Sequence, residues 1–263
     1  MARPLFDLEG KVVVLTGAAG MLGQQWRESL VRAGAAVLPI DAAWPGHPVD
    51  VTDEASLRAA AAYYEEICRP PLGGGMFGKA HVPDALICAA AIDAKPGTPG
   101  GAPFEQTAVD EWRHIVDVNL TGVMLTCQVF GTAMAQAGRG SIILVTSMYS
   151  LVSPDNRRYR GLTRPPFHKP AAYSASKAGL SGLCRYLAGH WGPRNVRVNC
   201  VAFGAMEQES HDPRFTKRMA AAIPIGRLAR AHEWDGPIHF LVSDASSYMT
   251  GATLVVDGGY TAW

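Results

Sequence analysis

Tyr173 and Lys177 bound the run Tyr173-Ser174-Ala175-Ser176-Lys177. On a helix, positions i and i+4 share a face, so phenol and ammonium stand together. A free phenol has a pKa of about 10 and is a poor base at neutral pH. A nearby cation favours the phenolate and lowers that value. A phenol tuned in this way can take or give the proton of an alcohol, which is what interconversion of a secondary alcohol and a ketone needs.

A second group of residues could hold a nucleotide. Thr16-Gly17-Ala18-Ala19-Gly20-Met21-Leu22-Gly23 follows an apolar run and opens a helical pattern. Gly17, Gly20 and Gly23 allow a tight turn and close backbone approach. The backbone at Met21 and Leu22 begins the helix, whose N–H groups and positive dipole end suit a pyrophosphate. Asp41 ends the next apolar run, 24 residues after Gly17. A carboxylate there accepts hydrogen bonds from an adenosine ribose and repels a 2′-phosphate. No Arg or Lys occupies positions 17–23 or 42–46, so NAD is preferred over NADP. Asp50 and Val51 are placed to meet the adenine ring.

These groups need a scaffold. β-rich apolar runs at Lys11–Thr16, Ala36–Ile40, Pro48–Asp50, Ala85–Ala89, Ser141–Thr146, Arg197–Ala202 and Thr253–Val256 alternate with helical patterns. The helices are expected at Leu22–Ala33, Glu54–Ile67, Val109–Ala137, Ala172–Trp191 and Glu233–Ser243. Strands alternating with helices predict a parallel sheet covered on both faces. The expectation is an α/β fold: one Rossmann-type, doubly wound domain over 1–263, with about seven strands flanked by helices. Pro70–Gly78 reads as a flexible loop.

Composition narrows the function. The 263 residues are 48% hydrophobic and 18% charged with net charge +1, so no global field recruits nucleic acid or membrane. Five scattered cysteines form no CxxC pair and no zinc spacing, which points to a reducing compartment and no metal. Without an apolar leader at Met1–Lys11 or a run of about 20 apolar residues, the cytoplasm is the expected location.

Together these residues resemble the short-chain dehydrogenase/reductase family over essentially the whole chain. Tyr173 and Lys177 match its YxxxK motif, Ser147 its catalytic serine, and Asn119 in Asp117-Val118-Asn119-Leu120 its asparagine. Ile223-Pro224-Ile225-Gly226-Arg227 and Val256-Asp257-Gly258-Gly259 match its C-terminal signposts. The resemblance implies hydride transfer between NAD and a secondary alcohol or ketone. Tyr173 would be the general acid/base, Lys177 would also bind the nicotinamide ribose, and Ser147 would hold the substrate oxygen. Asn119 would anchor a water linking Lys177 to solvent.

The chain departs from the family in several places. Its glycine motif is TGxxGxxG, closer to the epimerase-type branch, with Met21 where a glycine commonly stands. The family's NNAG is Cys88-Ala89-Ala90-Ala91, so asparagine ties to neighbouring strands are lost while backbone contact at Ala89 and Ala90 can survive. Its Pro-Gly is Phe203-Gly204, leaving the nicotinamide amide to backbone near Gly204 and Met206.

The largest departure is the interval of 26 residues from Ser147 to Tyr173, roughly twice the family's usual spacing. The insertion at about 150–171 is basic and proline-rich. Its Arg157 and Arg164 suit carboxylate or phosphate groups, which suggests an anionic substrate such as a sugar acid, sugar nucleotide or acyl conjugate. A solvated loop or a subunit contact is the alternative. Asp93, Met148 and Tyr149 are further candidates for the substrate pocket. Ala90-Ala91-Ile92-Asp93, the insertion and the C-terminal end resemble a subgroup linked to bacterial surface-glycan and nonulosonic-acid pathways. The resemblance also implies a homotetramer or homodimer built on the two longest helices. Two rival readings are an epimerase or dehydratase that retains its NAD, and a non-catalytic NAD-binding sensor.

Overall fold

The computed structural model describes residues 4–67, 82–97 and 101–263. The loop expected at Pro70–Gly78 and Cys68 lie outside the described residues. Six strands form one parallel sheet: β1 (Val12–Thr16), β2 (Ala36–Ile40), β3 (Ala85–Cys88), β4 (Gly140–Ser147), β5 (Val196–Phe203) and β6 (Thr253–Val256). Their order is β2-β1-β3-β4-β5-β6. The expected strand at Pro48–Asp50 does not form. Pro48 has no N–H to place in a ladder, and the segment is tied to the end of β2 by Val49 N–H donating to the Asp41 carbonyl at 2.9 Å.

Successive side chains of a strand point to opposite faces, and the two cores divide accordingly. Val12 and Val14 of β1 pack with Leu57, Val123, Phe130 and Leu180. Val13 and Leu15 pack with Trp26, Leu30, Ile238 and Leu241. Helices α2 (Glu54–Ile67), α3 (Val109–Ala137) and α4 (Ala171–Trp191) therefore cover one face. Helices α1 (Met21–Arg32) and α6 (Asp235–Val242) cover the other, and α5 (Pro213–Ala220) lies beyond the sheet. Helix α3 is long and apolar enough by composition to cross a membrane, but half of that stretch is buried inside the protein. It carries two π turns, Asp117–Thr121 and Cys127–Gly131.

Strands β2 and β3 flank β1 on opposite sides, so the winding direction reverses there. A crevice opens at the carboxyl ends of the strands at such a switch point. The 150–171 segment borders this crevice and is stitched down. A short 3-10 turn spans Asn156–Tyr159, and Tyr159 and Phe167 are buried. Arg158 donates to the Arg218 carbonyl at 2.9 Å, and Arg218 donates back to the Arg158 and Arg160 carbonyls.

Candidate active site

The crevice is a cavity of about 1000 Å³. Its nucleotide side is built largely from backbone. Gly17 has φ +72°, and a Cβ there would lie 2.8 Å from the Ala90 nitrogen. A Cβ on Gly23 would lie 2.1 Å from the Gly17 carbonyl oxygen. Both positions therefore require glycine for close approach. Asp41 fixes the turn by accepting from the Ala19 N–H at 3.0 Å and the Ala43 N–H at 2.8 Å.

The asparagine ties missing from Cys88-Ala89-Ala90-Ala91 have substitutes. Thr16 Oγ1 accepts from the N–H groups of Ala89 and Ala90 at 3.0 and 3.1 Å. Asn119 Oδ1 accepts from the Ile92 N–H at 2.7 Å, and its Nδ2 donates to the Ile92 carbonyl at 3.0 Å. The chain leaving β3 is thus held from both sides. All the cofactor candidates line this one cavity: Gly17, Gly20, Met21, Leu22, Gly23, Asp41, Asp50, Val51, Ala89, Ala90, Tyr173, Lys177, Gly204 and Met206. The turn that a Cβ at Gly17 would fill is a cradle of the kind a pyrophosphate needs.

Ser147, Tyr173 and Lys177 line the same cavity. Ser147 ends β4, and its Oγ accepts from the Tyr149 N–H at 3.2 Å. Tyr173 and Lys177 project from the first turns of α4 and are buried. Lys177 Nζ donates to the Val145 carbonyl at 2.8 Å and lies 6.0 Å from the centre of the Tyr173 ring. Asn119 is fully buried, and its side chain holds the β3 exit by one bond accepted from and one donated to the Ile92 backbone.

The expected tuning of Tyr173 differs in one respect. Burial, with the Asp93 charge adding to it, pushes its phenol well above the ordinary value, while a hydrogen bond with Ser147 pulls the other way. Desolvation outweighs the cation that spacing alone suggested. Burial also pushes the Lys177 ammonium down to about 8.

On the substrate side, Asp93, Met148 and Tyr149 line the cavity. Arg157 and Arg164 do not belong to its lining. Arg157 is turned outward, 78% exposed and paired with Asp155 at 2.8 Å, and Arg164 is exposed. The neighbouring Asp155 carboxylate holds Arg157 in solvent, away from the cavity. The insertion instead contributes Tyr159, Leu162, Thr163 and Lys169, facing Phe215 and Met219. Lys169 pairs with Asp93, and its Nζ lies 4.6 Å from the centre of the Tyr173 ring. Lys169 belongs to the basic run of the insertion, ahead of the first turn of α4, and nothing local in the sequence singles it out from the arginines beside it.

The family model described as enoyl-(acyl carrier protein) reductase matches residues 5–261. The chain belongs to the short-chain dehydrogenase/reductase family. It is 35% identical to cis-4-hydroxycyclohexanecarboxylate dehydrogenase of Sinomonas cyclohexanicum, over 96% of this chain and 97% of that one. It is 31% identical to D-threitol dehydrogenase of Mycolicibacterium smegmatis, over 97% and 95%. Among solved structures, a short chain dehydrogenase from Leptospira borgpetersenii with bound NAD+ superposes with TM-score 0.83 at 26% identity, covering 99% of this chain and 97% of that one. Other solved neighbours hold NADP. The protein is an NAD(P)-dependent oxidoreductase acting on CH–OH groups.

Proposed function

We propose that the protein interconverts a secondary alcohol and a ketone with NAD, using Tyr173 as general acid/base. The observation that carries this reading is the convergence of Ser147, Tyr173, Lys177 and the glycine turn on one cavity. When bound, NAD supplies the acceptor for the carbinol hydride. The glycine turn and the start of α1 would hold its pyrophosphate. Asp41 would take the ribose hydroxyls and disfavour a 2′-phosphate, and backbone at Gly204 and Met206 would hold the amide. Ser147 keeps the substrate oxygen in place while Tyr173 exchanges a proton with it; burial raises the phenol, so the protonated form that serves ketone reduction is the resting one. Lys177, with a pKa of about 8, is matched to share that proton at neutral to mildly alkaline pH.

The substrate chemistries named for its relatives include a hydroxy acid and a polyol. The anionic reading loses Arg157 and Arg164 as its support, and the surface-glycan subgroup rests on short stretches of sequence alone. A homotetramer or homodimer remains part of the proposal. Exposed Trp112 on α3 and Tyr186 on α4 support it, and light scattering in solution tests it.

NADH formation with a panel of polyols and hydroxy acids tests the reading. Tyr173→Phe is expected to lower kcat/KM by about 10³-fold while NAD affinity stays within a few-fold. Unchanged turnover would remove Tyr173 from the chemistry, whereas NAD binding without turnover of any probe would favour cofactor sensing. The same assay with NADP is expected to give the lower kcat/KM, and equal values would remove the role given to Asp41.

A further inference from the structure

Lys169 and Asp93 come from two different segments that line the cavity, and neither belongs to the acid/base set. Asp93 lies just after β3, in the segment clamped by Asn119 through Ile92. Lys169 is delivered by the 150–171 insertion. Asn156 Oδ1 accepts its backbone N–H at 3.0 Å. Tyr159, stacked on Phe215 at 5.4 Å and edge-on to Phe167 at 5.0 Å, anchors the loop behind it. The Lys169 side chain is 8% exposed and that of Asp93 39%. An ion-paired lysine whose side chain is largely covered beside the reacting tyrosine is not a solvated loop charge.

The hydrogen-bond inventory of this pair is incomplete in a specific way. An ammonium has three N–H donors. Lys169 gives one to Asp93 Oδ1 and one to the Ala94 carbonyl at 3.2 Å, which leaves one without an acceptor among the described residues. Asp93 Oδ2 receives no hydrogen bond among the described residues. The pair therefore offers one donor and one acceptor to the cavity, next to the Tyr173 ring.

A hydroxyl satisfies both at once, accepting from Lys169 and donating to Asp93. A carboxylate would satisfy Lys169 but set a like charge against Asp93. A hydrocarbon would displace water from both and leave them unpaired. We propose that Lys169 and Asp93 read a hydroxyl on the carbon next to the reacting carbinol, so that the substrate is a vicinal diol or polyol whose carbon skeleton lies against Tyr159 and Phe215. This inference rests on the dehydrogenase reading above and narrows its substrate.

The test uses the full-length enzyme with NAD and three probes: trans-1,2-cyclohexanediol, cyclohexanol and 2-hydroxycyclohexanecarboxylate. The wild type is expected to favour the diol over cyclohexanol by about 10²-fold in kcat/KM, below the largest hydroxyl discrimination of buried sites because Asp93 is partly exposed. Lys169→Met is expected to collapse that ratio towards one, and Lys169→Arg to restore most of it. Asp93→Asn is expected to raise the carboxylate relative to the diol at least about tenfold, by removing the like charge. Unchanged NAD affinity shows that each variant is folded.

A wild-type ratio near one, a ratio unmoved by Lys169→Met, or a wild-type preference for the carboxylate overturns the hydroxyl-reading pair. So does failure to turn over the diol. Tyr173→Phe keeps the two readings apart. Loss of turnover in that variant without diol preference in the wild type removes only the pair, whereas retained turnover removes the dehydrogenase mechanism beneath it.

Discussion

The two halves of the cavity are made of different material. The nucleotide half is backbone: glycines at 17 and 23, a helix start, and N–H groups pinned by Thr16, Asp41 and Asn119. The substrate half is side chain: Tyr149, Tyr159, Phe215, Met219 and the Lys169–Asp93 pair. A backbone cradle can be filled by one added carbon, whereas a side-chain wall can lose a member and still be a wall. The nucleotide half should therefore fail abruptly on substitution, and the substrate half should shift its preferences gradually.

Gly23→Ala is the sharpest way to break that contrast. Its methyl would sit 2.1 Å from the Gly17 carbonyl oxygen and 2.7 Å from the Ala18 Cα. Both are backbone atoms, so the turn itself must move. NAD affinity measured by calorimetry is expected to fall at least tenfold, at the scale of about 1.4 kcal/mol, with a lower melting temperature. Affinity within twofold of the wild type would mean that the cradle deforms freely and the contrast is wrong.

The same contrast explains what could be read in the sequence. The glycine turn, Asp41, Tyr173 and Lys177 are local patterns, each within one strand-turn-helix or one helix turn, and the cavity gathers them as spacing suggested. The six strands were legible because β1, β3 and β4 are buried on both faces and read as continuous apolar runs. Pro48–Asp50 misled because its apolar residue, Val49, is buried without joining a ladder. The substrate half was hidden because its contacts are long-range. Arg157 and Lys169 lie in one basic loop, and nothing local says that Asp155 turns the first outward while Asn156 and Asp93 bring the second in. Thr16 and Asn119 replacing the missing asparagines is likewise a tertiary fact.

At the seam between the halves, Lys177 gives an intermediate effect. Its folded pKa of about 8 lies below the ordinary 10.5 because burial penalises the cation. Below pH 8 it is protonated in both states, and folding carries the full desolvation penalty. Between about 8 and 10.5 the unfolded chain binds the proton more tightly, so stability rises with pH. Above 10.5 the penalty is gone. Lys177→Met has no such proton. Its stability advantage over wild type is therefore expected to be larger at pH 7 than at pH 10, by about 2 kcal/mol. Denaturant unfolding at the two pH values measures it. A difference independent of pH would mean that Lys177 is hydrated in solution and the seam is wetter than its 3% exposure implies.

The smallest effect belongs to Arg157, and its smallness is the point. It shares the 150–171 insertion with Lys169, so a rule based on loop membership would give both the same weight. Its guanidinium instead makes two hydrogen bonds to Asp155, two residues away, at 2.8 and 3.1 Å. It stands in solvent outside the cavity lining, where such a pair contributes little to stability. Arg157→Ala is expected to leave kcat/KM for the preferred substrate within about twofold and the melting temperature nearly unchanged. A tenfold loss confined to carboxylated substrates would reverse this, because it would show the loop swinging Arg157 inward on binding. That would restore an anion site and displace Lys169 as the charge the substrate meets.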